Sequence, residues 1–307
     1  MAKHDTSQSK RVAMIGLGIM GAAFARKMVQ AGFDVTGFDP DSERAKAAAA
    51  EGVSIAGDCQ EALAAADLVL CSLPGNEALE ATVTAVTLLP DNAREGMTIA
   101  EMSTLEIECK LRQQQRLAPL GVTLLDCPVS GTGAQAAEGH VIVYASGSER
   151  HISRIRPVLM SFSNQCLFLG KFGNGMRMKL IANLLVAIHN VAAAEALSLA
   201  SKAGIDPQAC CDILNAGGAA GSRVLELRGP LMARGSYSPP TMRLDLWQKD
   251  MQLIREFARE MRAGTPLFSA TVPLYEYAVK QGLGALDTAA VFELVKALST
   301  PEAQPSH

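Results

Sequence analysis

Short apolar runs alternate with alanine-rich or amphipathic stretches over the first half of the chain. "RVAMIG" (11–16) is an apolar run that enters a glycine cluster, and "MGAAFARKMVQAG" (20–32) has helical apolar spacing up to a glycine stop. "FDVTGFD" (33–39) reads as a second strand ending at Asp39, and "PDSERAKAAAAEG" (40–52) as a helix with proline near its start and Gly52 after its end. "DLVLCSLP" (67–74), "GMTIAEMS" (96–103) and "GVTLLDCPVS" (121–130) are further strand-like runs, with helix-length pieces such as 105–117 between them. A late strand pair, "HVIVYASG" (140–147) and "QCLFLG" (165–170), flanks the helical "SERHISRIRPVLMSF" and completes this region. Strands alternating with helices predict a largely parallel, doubly wound sheet.

Beyond Gly170 the period is helical throughout. Helices are predicted at 176–203, 207–215, 223–233, 244–263, 267–281 and 288–298, broken by "GGAAGS" and "GSYSPP". The fold class is therefore α/β, a doubly wound N-terminal domain (10–171) followed by an all-α C-terminal domain (172–300). A chain of 307 residues suits two domains, each with its own core. The run 180–200 is long and apolar enough to test as a membrane span, but Asn183, His189, Asn190 and Glu195 lie inside it, which favours a buried central helix.

A net charge of −3 and pI near 6.0 leave no electrostatic footprint for nucleic acid. The seven cysteines are odd in number and scattered, without metal-ligand spacing, as expected of reduced cytoplasmic thiols; no metal site is expected. "MAKHDTSQSKR" (1–11) reads as a disordered polar tail with no export address, and "STPEAQPSH" (299–307) as a loose end.

Chemistry enters with "GLGIMG" (16–21), between the first strand and first helix. Gly16 permits the tight turn, Gly18 lets a pyrophosphate approach the backbone, and Gly21 lets helix and strand pack closely; Ile19 and Met20 complete the loop. Asp39 then ends the second strand, where a carboxylate can accept hydrogen bonds from the adenosine ribose hydroxyls. Its charge disfavours a 2′-phosphate, so NAD is the expected cofactor, and Arg44 keeps NADP open.

"GNGMRMKLIANLLVAIHN" (173–190) raises a different question, because a lysine and two asparagines share one stripe of an otherwise apolar helix. A buried ammonium costs several kcal/mol unless it is paired or gives up its proton, so Lys179 has either a partner or a task. With "GLGIMG", this segment, "DCPVSGTGAQAAEG" (126–139) and "LWQKDMQL" (246–253) resemble the signature blocks of the β-hydroxyacid dehydrogenases, the family of 3-hydroxyisobutyrate dehydrogenase, tartronate semialdehyde reductase and threonate dehydrogenase-like enzymes. The resemblance runs from about residue 11 to 299. It implies a Rossmann domain and an all-helical domain joined by the long helix, and homodimers or homotetramers formed through the helical part.

By position, the resemblance makes Lys179 the catalytic lysine and Asn183 its companion. Ser130, Gly131 and Thr132 hold the substrate carboxylate through a hydroxyl and backbone N–H groups. Thr104 lies near the nicotinamide ribose, Leu73 and Pro74 along the cofactor, and Lys249 with Asp250 matches the pair that closes the site. Two departures stand out: Thr132 occupies a position that is usually glycine, and Glu101 one that is usually aspartate. Ala182 replaces the histidine that 6-phosphogluconate dehydrogenase-like enzymes pair with their lysine, and imine reductases generally lack the lysine itself.

The expected reaction is NAD-dependent interconversion of a short 3-hydroxy acid (hydroxyisobutyrate-, glycerate- or threonate-like) and its carbonyl acid. Burial and a cationic nicotinamide both disfavour the ammonium, so the amine can take the hydroxyl proton near neutral pH; protonated, it is the acid of the reverse step. Asn190 is expected to be a satisfied core amide, His140 and His189 structural, and Arg223 a candidate second contact to the substrate. The alternatives are an NADPH-dependent reductase of small aldehyde acids, or a dinucleotide-binding sensor without turnover.

Overall fold

The computed structural model describes residues 11–64 and 66–298. The tails expected to be loose lie outside these residues, except that Arg11 opens the first strand. Among the described residues the order is β1 (Arg11–Ile15), α1 (Ile19–Gln30), β2 (Asp34–Phe38), α2 (Ser42–Ala50), β3 (Ser54–Ile55), α3 (Cys59–Ala64), β4 (Leu68–Cys71), α4 (Asn76–Thr87), α5 (Asp91–Arg94), β5 (Thr98–Glu101), α6 (Ile107–Leu117), β6 (Thr123–Asp126), β7 (Val129–Ser130), α7 (Gly133–Glu138), β8 (Ile142–Ala145), α8 (Glu149–Phe162) and β9 (Gln165–Phe168). Helices alone follow: α9 (Asn174–Lys202), α10 (Pro207–Asn215), α11 (Arg223–Arg234), α12 (Leu244–Glu260), α13 (Pro266–Ala278) and α14 (Val291–Leu298), with short 3₁₀ and π turns between some of them. The chain forms two compact units, one ending at Lys179 and one starting at Leu180.

In the first unit six parallel strands run in the order β3-β2-β1-β4-β5-β6. The order reverses between β1 and β4, and this switch point is where open α/β sheets bind ligands beyond the strands' carboxyl ends. Both sheet faces are covered: Val12 and Met14 join the core of α1 and α8, and Ala13 and Ile15 that of α3, α4 and α6. Alternate side chains of a strand point to opposite faces, so a strand buried on both reads as a continuous apolar run. Phe24 of α1 and Phe162 of α8 close the first of these cores, ring centroids 4.5 Å apart.

The late strands do not extend this sheet. They form a second one, β7-β8-β9, with β7 and β8 antiparallel. Only Cys127 and Pro128 separate β6 from β7, too little chain for the crossover that another parallel neighbour requires. Instead the ends of β6 and β8 exchange Asp126 N–H to Ser146 O (3.0 Å) and Ser146 N–H to Asp126 O (2.7 Å).

The second unit is held by polar anchors within its helical core. Asn190 donates to the Tyr275 hydroxyl (3.0 Å) and to Thr288 O (2.9 Å), while Tyr275 donates to Ala187 O and its ring meets Trp247 edge-on. Asn190 thus ties α9 to α13 through its Nδ2–H groups, but its Oδ1 is buried with no hydrogen-bond partner among the described residues, so the expected core amide is only half satisfied. The buried Asp287 carboxylate receives Thr241 N–H and O–H, Ala289 N–H and Arg228 Nε. Burial alone would raise its pKa, but Arg228 and these donors outweigh it and hold it below the usual carboxylate range. Helix α9 is long and apolar enough to cross a membrane, yet its asparagines find partners inside the protein, as in a core helix.

Candidate active site

The glycine loop shows why each of its three glycines is there. Gly16 has φ +91°, and a Cβ on it would sit 2.2 Å from Ser72 O at the end of β4; one on Gly21 would sit 1.9 Å from Gly16 O. Those two positions admit nothing larger, because α1 must start directly against the strand ends. Gly18 is different: its missing Cβ faces open space, with Arg44 Nη1 the nearest atom at 4.0 Å. An open, side-chain-free backbone at a helix N-terminus is what a pyrophosphate needs, so the residues present fit a dinucleotide.

Asp39 follows β2 and is buried, its Oδ2 taking Leu17 N–H (2.8 Å) and its Oδ1 taking Asp41 N–H (2.9 Å). The cap of α2 is Asp41, which accepts Glu43 N–H and Arg44 N–H, so Asp39 is left to brace the glycine loop through Leu17 N–H. Arg44 Nη1 lies 3.8 Å from Asp39 Oδ2, a cation at the edge of the same site.

The segments after β4 and β5, which the resemblance assigned to the cofactor, are tied together. The Leu73 N–H donates to Ser103 Oγ (2.7 Å), and Ser103 N–H donates to Glu101 Oε1 (2.9 Å), which fixes the loop of Leu73 and exposed Pro74 to that of half-buried Thr104. Lys110, wholly buried on α6, donates to Ser103 O (2.9 Å) and Asp126 Oδ1 (2.9 Å) and lies 2.5 Å from Glu101 Oε2. Burial would lower the pKa of this amine, but Asp126 and Glu101 overcome it and hold the amine protonated, well above its ordinary range.

The segment after β6 carries Ser130, Gly131 and Thr132, all half-buried. Gly131 has φ +146°, and a Cβ there would come within 2.7 Å of Val141 Cγ1. Thr132 caps α7 in a reciprocal box: its hydroxyl accepts Gln135 N–H, and its own N–H donates to Gln135 Oε1 (2.9 Å). The amide that the resemblance assigns to a carboxylate is therefore engaged by Gln135.

Lys179 lies on α9 and is only 9% exposed. In the second unit Asn183, one turn further along the helix, donates Nδ2–H to Asp250 Oδ2 (3.0 Å) on α12, and both are buried. Asp250 thus orients the amide, while its neighbour Lys249 is exposed. Arg223 pairs with Glu226 at the start of α11, and His140 with Glu138. The sequence reading assigned no role to Lys110, Ser103, Asp126 or Gln135. Asp126 stood at the head of a recognised block, but Lys110 sits in the polar string "KLRQQQR", which looks like a solvated helix face.

Comparison with known proteins now decides the family. The model of the NAD binding domain of 6-phosphogluconate dehydrogenase matches residues 11–203, and that of the NAD-binding region of NADP-dependent 3-hydroxyisobutyrate dehydrogenase matches residues 173–295. The chain is 31% identical to L-threonate dehydrogenase of Haemophilus influenzae, across 96% of this chain and 98% of that protein. It belongs to the β-hydroxyacid dehydrogenases. A further member, 2-hydroxy-3-oxopropionate reductase of Escherichia coli, is 29% identical across 94% of this chain and 98% of its own length. The crystal structure of 3-hydroxyisobutyrate dehydrogenase from Salmonella typhimurium superposes with a TM-score of 0.82 at 29% identity, covering 92% of this chain and 99% of that one. This β-hydroxyacid dehydrogenase is accordingly an NAD(P)-dependent oxidoreductase acting on CH–OH groups.

Proposed function

We propose that the enzyme oxidises a short 3-hydroxy acid of the hydroxyisobutyrate, glycerate or threonate type with NAD, with Lys179 as the general base and, in reduction, the general acid. The observation that carries this is a lysine withdrawn from solvent on the central helix of a β-hydroxyacid dehydrogenase, one turn before an asparagine whose amide a buried carboxylate orients. The bound nicotinamide supplies the hydride acceptor. Asn183, its amide oriented by Asp250, directs the hydroxyl for proton transfer. Ser130 and Gly131 hold the carboxylate, joined by Thr132 when Gln135 releases its N–H. Gly16, Gly18, Ile19, Met20 and Gly21 seat the pyrophosphate, Asp39 the ribose, and Leu73, Pro74, Thr104 and Lys249 the remainder of the cofactor. The domain that binds dinucleotide is 10–171, and the helical one is 172–300. Free cysteines suit a reducing, cytoplasmic setting.

The test is a panel of L-threonate, 3-hydroxyisobutyrate and both glycerate enantiomers with NAD and with NADP. Turnover of at least one acid is expected; cofactor binding without reduction of NAD by any of them would favour a dinucleotide-binding sensor instead.

Arg44 beside Asp39 favours a second reading, an NADPH-dependent reductase of small aldehyde acids. The two residues separate the readings. Asp39→Ala removes the ribose acceptor and the repulsion of a 2′-phosphate, so kcat/KM for NAD relative to NADP should fall about 10- to 100-fold, the scale of one hydrogen bond to a charged group. Arg44→Ala should raise that ratio. A ratio that moves in neither variant would mean that the ribose contact lies elsewhere.

Ile181, Leu185 and Leu199 expose an apolar stripe along α9, and we propose a second copy of the chain as its cover. Ile181→Glu with Leu185→Glu should shift the sedimentation mass from dimer or tetramer to monomer. An unchanged mass would assign the stripe another role.

A further inference from the structure

Asp126 ties the start of α9, the helix that carries Lys179, to the end of β6, the strand that leads to Ser130. Its Oδ2 accepts Met176 N–H (2.8 Å) and Ser146 O–H (3.0 Å), and the same Ser146 oxygen accepts Gly175 N–H (2.9 Å). Two of the first N–H groups of α9 are thus satisfied by side chains from the ends of β6 and β8, because Gly173, just ahead of the helix, has none to offer. The fit is close: a Cβ on Gly175 would come within 2.3 Å of Tyr144 O and 2.8 Å of Asp126 O. Lys179 follows one turn later, about 6 Å along the axis at 1.5 Å per residue. In the other direction Asp126 leads within four residues to Ser130, which β7 pins against Ile142 of β8.

The remaining oxygen of Asp126 binds Lys110, which also holds Glu101 and Ser103 O beside Thr104. The three buried ionisable groups sum to one negative charge, placed where the positive end of the α9 dipole meets it. Stability alone is a weak reason to bury such a set, since an apolar replacement of the same volume is often as stable.

We propose that Asp126, with Ser146 and Lys110, is a positioning device that sets Lys179 relative to the Ser130 loop that takes the carboxylate, and so governs proton transfer more than binding. This rests on the reading of Lys179 as the base. A misplacement of about 1 Å at a reacting pair can cost about 10²-fold in rate. Asp126→Asn is the informative variant, because it leaves Lys110 paired with Glu101 and the buried charge at zero.

The experiment compares wild type, Asp126→Asn, Ser146→Ala and Ser146→Thr with Leu63→Ala, a core truncation on α3 that removes no hydrogen bond or charge. Each is assayed with L-threonate, 3-hydroxyisobutyrate and glycerate, and followed by NAD titration and by hydrogen exchange of the 175 and 176 amides. We expect kcat to fall about 100-fold in Asp126→Asn and about tenfold in Ser146→Ala. Ser146→Thr, which keeps the hydroxyl, should stay nearer wild type. NAD affinity and the KM of the acid should change less than about fivefold, and the two amides should exchange faster in both weakened variants. Leu63→Ala should lower Tm and leave kcat within twofold.

The proposal is overturned by a kcat within twofold in Asp126→Asn with faster exchange at 175 and 176. Proportionate losses of kcat and NAD affinity that Leu63→Ala reproduces overturn it as well. If wild type turns over none of the acids, the functional reading fails rather than the anchor, and unchanged amide exchange in Asp126→Asn then removes the anchor on its own.

Discussion

Replacing Lys179 by alanine should lower turnover about 10³-fold, within the range that a positioned general base contributes, while NAD binding changes less than about twofold. The loss corresponds to about 4 kcal/mol of transition-state stabilisation. The two quantities separate in the proposed mechanism because it assigns the dinucleotide to the glycine loop and Asp39 and not to the amine. Lys179→Arg sharpens the test. A guanidinium keeps the positive charge but does not give up its proton at any working pH, so it should be nearly as inactive as alanine. Recovery of more than about a tenth of wild-type kcat in the arginine variant would mean that Lys179 serves as a fixed charge. Full activity of the alanine variant would leave the proposed mechanism without its base.

Lys110→Met should be the most damaging substitution for stability, costing about 3–5 kcal/mol, the range for breaking a buried ion pair from one side. Methionine nearly matches the volume, so packing is not the cause. Glu101 and Asp126 would face each other at zero exposure without the cation that both contact. The double variant Lys110→Met with Glu101→Gln removes one of the two stranded charges and should recover a good part of the loss. Urea denaturation at neutral pH decides: a single variant within about 1 kcal/mol of wild type would show that water or a proton already compensates the carboxylates. The same cluster fixes Ser103 and the start of α9, so the folded remainder of the single variant should also be slow.

Much of the first unit was legible in the chain because its strands are buried on both faces and its turns are glycines with identifiable tasks. "RVAMI", "LVLC" and "TIAE" each became a parallel strand, since an apolar run of that length between breakers has few other uses. The strand Ser54–Ile55 left no pattern, being two exposed residues that pair at the sheet edge. The run "GVTLLDCPVS" read as one strand but became two in different sheets, because Pro128 and the short link turn the chain over. At the cofactor site, Gly16, Gly21 and Asp39 were readable as local requirements of a tight turn and a strand end. Thr132 is readable as a departure, and "TGAQ" carries the signature of the capping box in which Gln135 holds it.

The sequence by itself determined the alternation of elements, the dinucleotide loop and the suspicion attached to a lysine in an apolar helix. These are local properties, set by period, by backbone freedom at glycine and by the cost of desolvating a charge. Only the tertiary structure decided which polar residues are partners. Lys110 meets Asp126 across sixteen residues, Asp126 meets Met176 across fifty, and Asn183 meets Asp250 across sixty-seven. No window of sequence contains such pairs. Their energies depend on burial and on distances of about 3 Å, which exist only after the chain has packed.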